Sequence, residues 1–474
     1  MSKFYIDQHG CAKNQVDGEI IVSKLLDDGF ELVQNADDAD YIIINSCGFI
    51  ESAKKESLDS VYNARKLYSK KKIILAGCLA ERYSEIFKES LPEVDGIFGN
   101  GNLLKITDFI SSVKKKKSFV EVYPQEGISC YNRNYFMNFK NSAYVKITEG
   151  CSNYCSFCAI PIIRGELRSR PIKDIVFEIK DLIKKGFFEI NLIGQDLAAY
   201  GTGKNDKNLF NKDSNNSKLC ELLKEISKLK GKFWIRLLYI HPDHFNFDIV
   251  ECIKKDDRIL PYFDIPFQSG DTELIKKMNR NGSKASYISL VKKLKKELPD
   301  IALRTTLMTG FPGETESAFE NSKSFLQSIR PDWAGCFSYS REEDTLAYGF
   351  KNRVSKKIAK NRAMELEIIQ QEISQEKLKK RIRKYYDVLI EEIVNTNGET
   401  CFAIGRAWFQ APDVDGSFVV RFDKDDLEAC KSIKEGRLVQ VFADRVSGVD
   451  IDSHFIKDSE LNWLKYFFEF KKKF

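Results

Sequence analysis

Three cysteines, Cys151, Cys155 and Cys158, stand close together in the stretch EGCSNYCSFCAIP, spaced C-x3-C-x2-C. A structural zinc site takes four ligands, usually as two close pairs. No second pair follows at zinc-knuckle distance, and Cys220 and Cys252 are isolated in the chain. Three thiolates on one loop can hold three irons of a [4Fe–4S] cube. Full ligation needs four cysteines, so one iron stays open to a substrate or cofactor. A second trio is spread more widely: Cys11, Cys47 and Cys78 each end an apolar run beside a small residue, in FYIDQHGC, ADYIIINSCG and KKIILAGC. A lone cysteine in such a place is most often a buried small hydrophobe. Three on one sheet edge would be a site.

The elements that must position these thiols follow from the pattern. In the first stretch the apolar runs alternate with the helical patterns DGEIIVSKLLDDGF and ESAKKESLDSVYNARKLY. That alternation predicts a doubly wound α/β parallel sheet, whose strands open at their carboxyl ends on one ligand-binding edge. Cys11, Cys47 and Cys78 all fall at that edge. VKKKKSF and EGISCYNRNYF read as a linker. A second alternating region has six strand candidates, around Tyr144, Ile190, Ile235, Phe263, Leu303 and Phe337. Six βα units predict a partial (βα)6 barrel with its site at the strands' carboxyl ends. GTGKNDKNLFNKDSNNSK, within this region, reads as a flexible polar surface insertion. A charged helix is expected from Val354 to Lys384. After it, YYDVLIEEI, CFAIGRAW, SFVVRF and RLVQVFADRV predict a small antiparallel OB-like β-barrel. The expected domains are residues 1–120, 137–375 and 384–458.

Composition narrows the class. The 474 residues are 43% hydrophobic and 30% charged, which fits a soluble globular chain of several domains. A net charge of +6 is mild for this length and argues against a nucleic-acid coat protein, without excluding a ribosomal partner. The opening MSKFYIDQHG lacks signal-peptide features. No window holds the roughly 18 apolar residues of a membrane span, so a cytoplasmic location is expected. There, clustered thiols among the 12 cysteines point to metal or catalysis rather than disulfides. The aromatic, basic tail LNWLKYFFEFKKKF reads as a docked terminal element. The other six cysteines, Cys130, Cys220, Cys252, Cys336, Cys401 and Cys430, are assigned to packing, and His9, His241, His244 and His454 to structure.

C-x3-C-x2-C after the first barrel strand resembles the radical S-adenosylmethionine (SAM) superfamily. With the N-terminal trio and the final barrel, a TRAM domain by this resemblance, the whole chain is similar to the methylthiotransferases. Their RimO group is resembled most, through GCAKNQVDGE, NSCGFIESAKKES, EGCSNYCSFCAIPIIRGELRSR, GQDLAAYG, GFPGETE and QAPDVDG. One departure is Ser269, in DIPFQSGD, where most members carry a histidine. Between Thr396 and Ile456 there are eleven acidic and seven basic residues, a balance of −4. Such a barrel suits a basic ribosomal protein better than RNA phosphates.

The resemblance implies two [4Fe–4S] clusters, one on Cys11, Cys47 and Cys78 and one on Cys151, Cys155 and Cys158, with SAM as cofactor. It implies two uses of SAM: one molecule methylates a sulfur on the first cluster, and another is cleaved reductively at the second. The resulting 5′-deoxyadenosyl radical opens a C–H bond at the β-carbon of an aspartate in small-subunit ribosomal protein S-twelve, free or in the small subunit. Acid–base chemistry cannot open such a bond near neutral pH. A reducing electron donor and a sulfur donor are implied partners, and no membrane. Gln195 and Asp196 are implied near the methionyl amine, Arg304 near its carboxylate, Gly310 and Gly313 near the adenine or ribose, and Phe157 against the adenine. No catalytic residue is assigned. Two alternatives stand beside this reading: a MiaB-like tRNA methylthiotransferase acting on isopentenyladenosine, and a non-catalytic iron–sulfur electron carrier.

Overall fold

The structure, a computed structural model, describes residues 1–114, 119–125, 127–204, 206, 217–394 and 399–457. The aromatic tail, most of the polar insertion after Gly203 and the middle of the lysine run after Val113 lie outside the described residues.

The N-terminal strands are β1 (Lys3–Gln8), β2 (Glu31–Leu32), β3 (Tyr41–Ser46), β4 (Lys72–Gly77), β5 (Gly96–Phe98) and β6 (Phe119–Glu121). They form one parallel sheet in the order β2-β1-β3-β4-β5-β6. β3 and most of β4 are buried, as strands covered on both faces must be. Helices α1 (Ala12–Asp27), α2 (Glu51–Leu67), α3 (Cys78–Ser90) and α4 (Ile106–Val113) connect and cover them. The sequence reading ends a linker stretch at Phe119, but Phe119–Glu121 pairs with β5 and extends the sheet. The run was too short to show a period.

The central strands are β7 (Ser142–Lys146), β8 (Thr148–Glu149), β9 (Arg168–Ser169), β10 (Glu189–Ile193), β11 (Trp234–Leu237), β12 (Ile259–Asp264), β13 (Ala302–Thr309) and β14 (Trp333–Ser338). Six of them make an open parallel sheet, β7-β10-β11-β12-β13-β14, and match the six expected strands. The connecting helices are α5 (Ile160–Arg164), α6 (Ile172–Lys184), α7 (Lys218–Ser227), α8 (Asp248–Lys255), α9 (Thr272–Lys277), α10 (Lys284–Glu297) and α11 (Glu316–Ile329), with α12 (Lys356–Lys379) running behind β14. Alternation divides each strand between two cores. Val145, Ile190, Ile235, Phe263 and Leu303 pack under the helices. Tyr144, Leu260, Tyr262, Ala302 and Trp333 face the other way, into a core shared with the two flanking domains. Six strands do not close a barrel, and the neighbours cover its inner face.

The C-terminal strands β15 (Tyr385–Val394), β16 (Thr400–Arg406), β17 (Phe418–Asp423), β18 (Leu438–Ser447) and β19 (Asp450–Phe455), with α13 (Leu427–Ser432) between β17 and β18, close in the order β15-β16-β17-β19-β18. The barrel is not wholly antiparallel, as expected from sequence, because β17 and β19 run parallel. β18 and β19 form a tight hairpin around Gly448, at φ +63°, which sends β19 back along β17. β19 escaped the sequence reading because DIDSHF carries only one aliphatic core residue, Ile451.

The segment from Arg406 to Gly416 docks this barrel onto the amino ends of the central strands. Arg406 (2% exposed) and Arg236 (0%) both bind the carboxylate of Glu189 (0%). Tyr144 donates to Asp413 at 2.9 Å and Tyr262 to Asp415 at 2.7 Å. The Trp333 indole donates to the Phe409 carbonyl and Arg236 to that of Trp408. Asp415, whose side chain is buried, therefore does not belong to an acidic outer face, which weakens the charge balance as an argument about partners.

Candidate functional site

The glycines and asparagines around the N-terminal trio set its geometry. Cys11 caps α1, Cys47 follows β3 by one residue, and Cys78 opens α3 directly after β4. Gly10 holds φ +89°, and a Cβ there would stand 3.0 Å from the Cys47 Cβ. At Gly48 a Cβ would come within 2.7 Å of the Cys78 carbonyl oxygen, so only glycine lets these two strand ends approach. The Asn14 amide reaches the carbonyls of His9, Asn45 and Ser46, fastening α1 to the ends of β1 and β3.

The second trio sits on the loop between β8 and β9, which pair as a short antiparallel ribbon. Cys151 N–H donates to the Gly165 carbonyl and Cys158 N–H to that of Cys155. Ser156 anchors the loop from below, its N–H to the Met278 carbonyl and its hydroxyl to that of Lys277. These bonds fix the thiols before any metal arrives.

All six cysteines line a single cavity of about 340 Å³ between the two domains. An ion network closes one wall. Arg164, reaching out from the second loop, donates to Glu149 and Asp17 at 2.8 Å and lies 3.1 Å from the Cys78 sulfur. Lys146 binds the same two carboxylates. Asp17 belongs to α1 and the other three to the central domain, so the network spans the boundary.

Burial pushes the Cys47 and Cys151 thiols up to about 12, and Cys78 and Cys158 are raised for the same reason. Cys11, the exposed member, behaves differently: burial of its sulfur raises it, but Lys13 and Arg164 outweigh that and hold it below the ordinary thiol value. A set of mostly raised thiols ionises when a metal replaces the protons, which is what an iron–sulfur cluster demands.

The other expected residues divide. Phe157 and Gln195 line the cavity. Among the described residues, both polar atoms of the Gln195 amide are buried without a hydrogen-bond partner, as suits a residue waiting for a polar ligand. Asp196 is not on the lining. Its oxygens accept from Asn153, the Ala198 and His241 backbone N–H groups, and His244 at 2.7 Å. Arg304 lies deeper, 3.3 Å from Asp415 and 3.7 Å from Asp264. Gly310 and Gly313 have φ of +75° and +90° in a turn packed near Ala359 and Lys277, off the cavity lining.

The sequence reading missed Lys13, Asn14, Arg280 and His241, all of which face the cavity. His241, read as structural, lies 3.9 Å from the Cys155 sulfur, and burial holds its ring well below the ordinary histidine range. Arg280 gives its guanidinium to the Pro266 carbonyl at 2.6 Å and keeps a buried Nε without a partner. Burial lowers the Lys13 ammonium to about 8. Lys13 and Asn14 lie within GCAKNQVDGE, a phrase that carries the resemblance, but nothing in their own spacing singles them out, and Arg280 and His241 have no periodic or spaced signal. Ser269, the departure in its loop, packs on Ser322 of α11, while Gln268, at φ +69°, faces the cavity. Cys220, Cys252, Cys336 and Cys401 are buried as expected, but Cys130 and Cys430 are exposed.

Comparison with known proteins decides the family. Residues 3–99 match the family described as Uncharacterized protein family UPF0004, residues 145–326 the Radical SAM superfamily, and residues 382–456 the TRAM domain. The "Ribosomal protein uS12 methylthiotransferase RimO" of Treponema denticola is 50% identical over 465 residues, 94% of this chain and 99% of its own. This chain belongs to the RimO family. The RimO proteins of Clostridioides difficile and Thermotoga maritima are 38% and 37% identical, over 90% and 87% of this chain and 94% and 92% of theirs. Among solved structures, the radical S-adenosylmethionine methyltransferase TsrM from Kitasatospora setae, with cobalamin and a [4Fe–4S] cluster bound, superposes with a TM-score of 0.53 at 13% identity. The match covers 73% of this chain and 77% of that one, and is a likeness of fold. As a RimO-family member the chain is a radical SAM methylthiotransferase, a class that works with a [4Fe–4S] cluster and SAM. Among the described residues no helix is long and apolar enough to cross a membrane.

Proposed function

We propose that this chain transfers a methylthio group to the β-carbon of an aspartate in ribosomal protein uS12, in the cytoplasm, using units at 1–120, 137–375 and 384–458. The observation that carries this reading is the meeting of two thiol trios from two domains on one cavity. Cys151, Cys155 and Cys158 would hold the radical SAM cluster, and Cys11, Cys47 and Cys78 a second cluster that keeps the sulfur to be delivered. When bound, the cluster on Cys151, Cys155 and Cys158 would relay the reducing electron and SAM would supply the carbon-centred radical that an unactivated C–H bond requires.

The protein's own residues orient and protect. Gln195 offers an amide oxygen to an amine, and Arg280 a cation to a carboxylate, matching the two ends of a methionyl group. Phe49, Phe157, Ile160, Ile163 and Pro266 give the cavity apolar walls that exclude water and other quenching groups. Asn14 and Arg164 hold the first trio against the second. Asp196, Arg304, Gly310 and Gly313 support the lining from behind. A reductant and a sulfur donor complete the reaction. The names of the relatives favour uS12 over a tRNA substrate.

The test is anaerobic reconstitution, an iron count and the mass of uS12 after reaction. Wild type is expected to bind about eight irons and the triple alanine variant of Cys11, Cys47 and Cys78 about four. The variant should still cleave SAM but leave uS12 unmodified. Equal iron in the two proteins would overturn the second cluster. Fully methylthiolated uS12 beside undermethylthiolated tRNA in a deletion strain would overturn the substrate.

A further inference from the structure

Lys13 lies one residue into α1, two positions after Cys11, and its side chain lines the cavity on the side of the N-terminal trio. The residue is only 8% exposed. Among the described residues its ammonium makes no hydrogen bond and no ion pair. It lies over the face of the Tyr239 ring, 3.0 Å from the centroid. The nearby acids are committed elsewhere. Asp264 pairs with Arg304, and Asp17 and Glu149 with Lys146 and Arg164. Arg164, on the same cavity, is thus neutralised twice over, while among the described residues Lys13 forms no ion pair and feels the charges of Cys11 and Asp264 only at longer range.

A buried charge without a partner is costly, and this one is deliberately placed. Tyr239, a bulky residue, holds φ +67°, a conformation such side chains rarely adopt. Its carbonyl is tied to the Leu197 N–H at 2.9 Å. The ring so fixed carries the ammonium by a cation–π contact, which leaves the N–H donors free to point into the cavity. Strain of this sort collects at ligand clamps.

We propose that Lys13 is the anchor for the side-chain carboxylate of the acidic substrate residue, an inference that rests on the uS12 reading above. In aspartate the β-carbon is bonded directly to the carboxyl carbon, so fixing the carboxylate fixes the reacting atom one bond away, beside the trio that holds the sulfur. The same anchor sets specificity. Asparagine brings no charge to the ammonium, and glutamate moves the carboxylate one methylene from the carbon to be attacked. Arg280 stands at the other trio, where its charge offsets a small part of the rise that burial imposes on the Cys151 and Cys158 thiols, so the cavity's two cations without an ion pair among the described residues serve two different carboxylates.

The test titrates full-length, anaerobically reconstituted protein with purified uS12 carrying aspartate or asparagine at the target position, read by fluorescence anisotropy, with iron counted in every sample. Wild type is expected to bind the aspartate form about tenfold or more tighter, the yield of one charge-assisted hydrogen bond. Lys13→Met should erase that preference, bind the asparagine form as wild type does and keep its iron. Lys13→Arg should restore part of the preference. A preference that survives in Lys13→Met overturns the assignment, as does wild-type binding of both forms with equal strength. Loss of iron with equal weakening of both forms also overturns it, making Lys13 a counter-charge for the cluster. Failure of wild type to bind either form overturns the uS12 reading, and this inference with it.

Discussion

Arg133 lies in the irregular segment between the first two domains and holds them in register. Its guanidinium is 2% exposed. It pairs with Glu19 of α1 and with Glu178 of α6, and donates to the Tyr144 carbonyl at 2.7 Å. One side chain thereby joins the N-terminal sheet's first helix to α6 and the first strand of the central domain. Arg133→Met keeps the length and removes the charge. Breaking a buried pair costs about 3–5 kcal/mol because the partner is left charged and dry. Here the lower end applies. Glu178 keeps Arg170 at 2.6 Å, and Glu19 keeps Gln15 and the Met137 N–H, at 3.0 and 2.9 Å. A loss of about 3 kcal/mol should appear in urea unfolding of the metal-free chain. The functional consequence is separable from stability. SAM cleavage needs only the central domain's trio, whereas transfer needs the two trios face to face, and a displacement of about 1 Å can lower a rate by about 100-fold. Counting SAM molecules cleaved per methylthio group transferred should show that ratio rising tenfold or more in Arg133→Met, with cleavage itself nearly intact. A stability loss accompanied by an unchanged ratio would refute the idea that this clamp sets the distance between the trios.

Gln195→Ala removes the two unpartnered amide atoms on the cavity wall and should weaken SAM binding by about tenfold, in calorimetric titration, with iron content unchanged. Arg164→Met leaves Asp17 and Glu149 sharing Lys146 alone and strips the cation from Cys78, so iron should fall from about eight to about four per chain while the cluster of the second loop persists in its spectrum. Burial pushes Asp415 up to about 6 and Glu391 up to about 7. Such acids hold their protons in the folded chain after the unfolded chain has lost them. Their contribution is therefore greatest below the ordinary carboxylate value near pH 4 and declines as pH climbs through 6 and 7. The Asp415→Asn, Glu391→Gln double variant should flatten the fall in stability between pH 5 and 8 by on the order of 3 kcal/mol relative to wild type, measured by urea unfolding at each pH. A parallel pH profile in the two proteins would refute it.

The thiol trios and the strands that carry them were legible because both signals are local. A parallel strand buried on both faces reads as a continuous apolar run, and a cysteine at its end needs no partner to be seen. What was hidden depends on contacts that the chain makes with itself at a distance. Arg133 meets Glu19 across 114 residues and Glu178 across 45, and nothing in EGISCYNRNYF distinguishes a clamp from a tether. Lys13 and Arg280 look like any surface cations until burial is known. Charge counting failed at Asp415 for the same reason: composition cannot separate an acid facing water from one accepting a buried tyrosine hydroxyl. The phrase QAPDVDG was noticed by resemblance alone, and its physical meaning, a plug for the barrel's amino end, needed the fold.

That plug explains why six strands suffice. A closed eight-stranded barrel fills its interior with its own side chains, leaving no chamber large enough for a cluster, a cofactor and a peptide. Opening the barrel creates room, but it exposes the inner face of every strand, and the remedy comes from outside. At the amino end Glu189, Arg236 and Arg406 form a dry ion cluster with the docking loop, continued by Asp415, Arg304 and Asp264 along the inner face. At the carboxyl end the Asp17–Lys146–Glu149–Arg164 network seals the N-terminal domain in place. Apolar contacts of the same area would adhere at least as well, since the desolvation of buried pairs offsets much of their attraction. They would, however, slide. Bidentate ion pairs have one geometry, and a reaction that passes a radical between two fixed centres depends on that geometry more than on the strength of the seal.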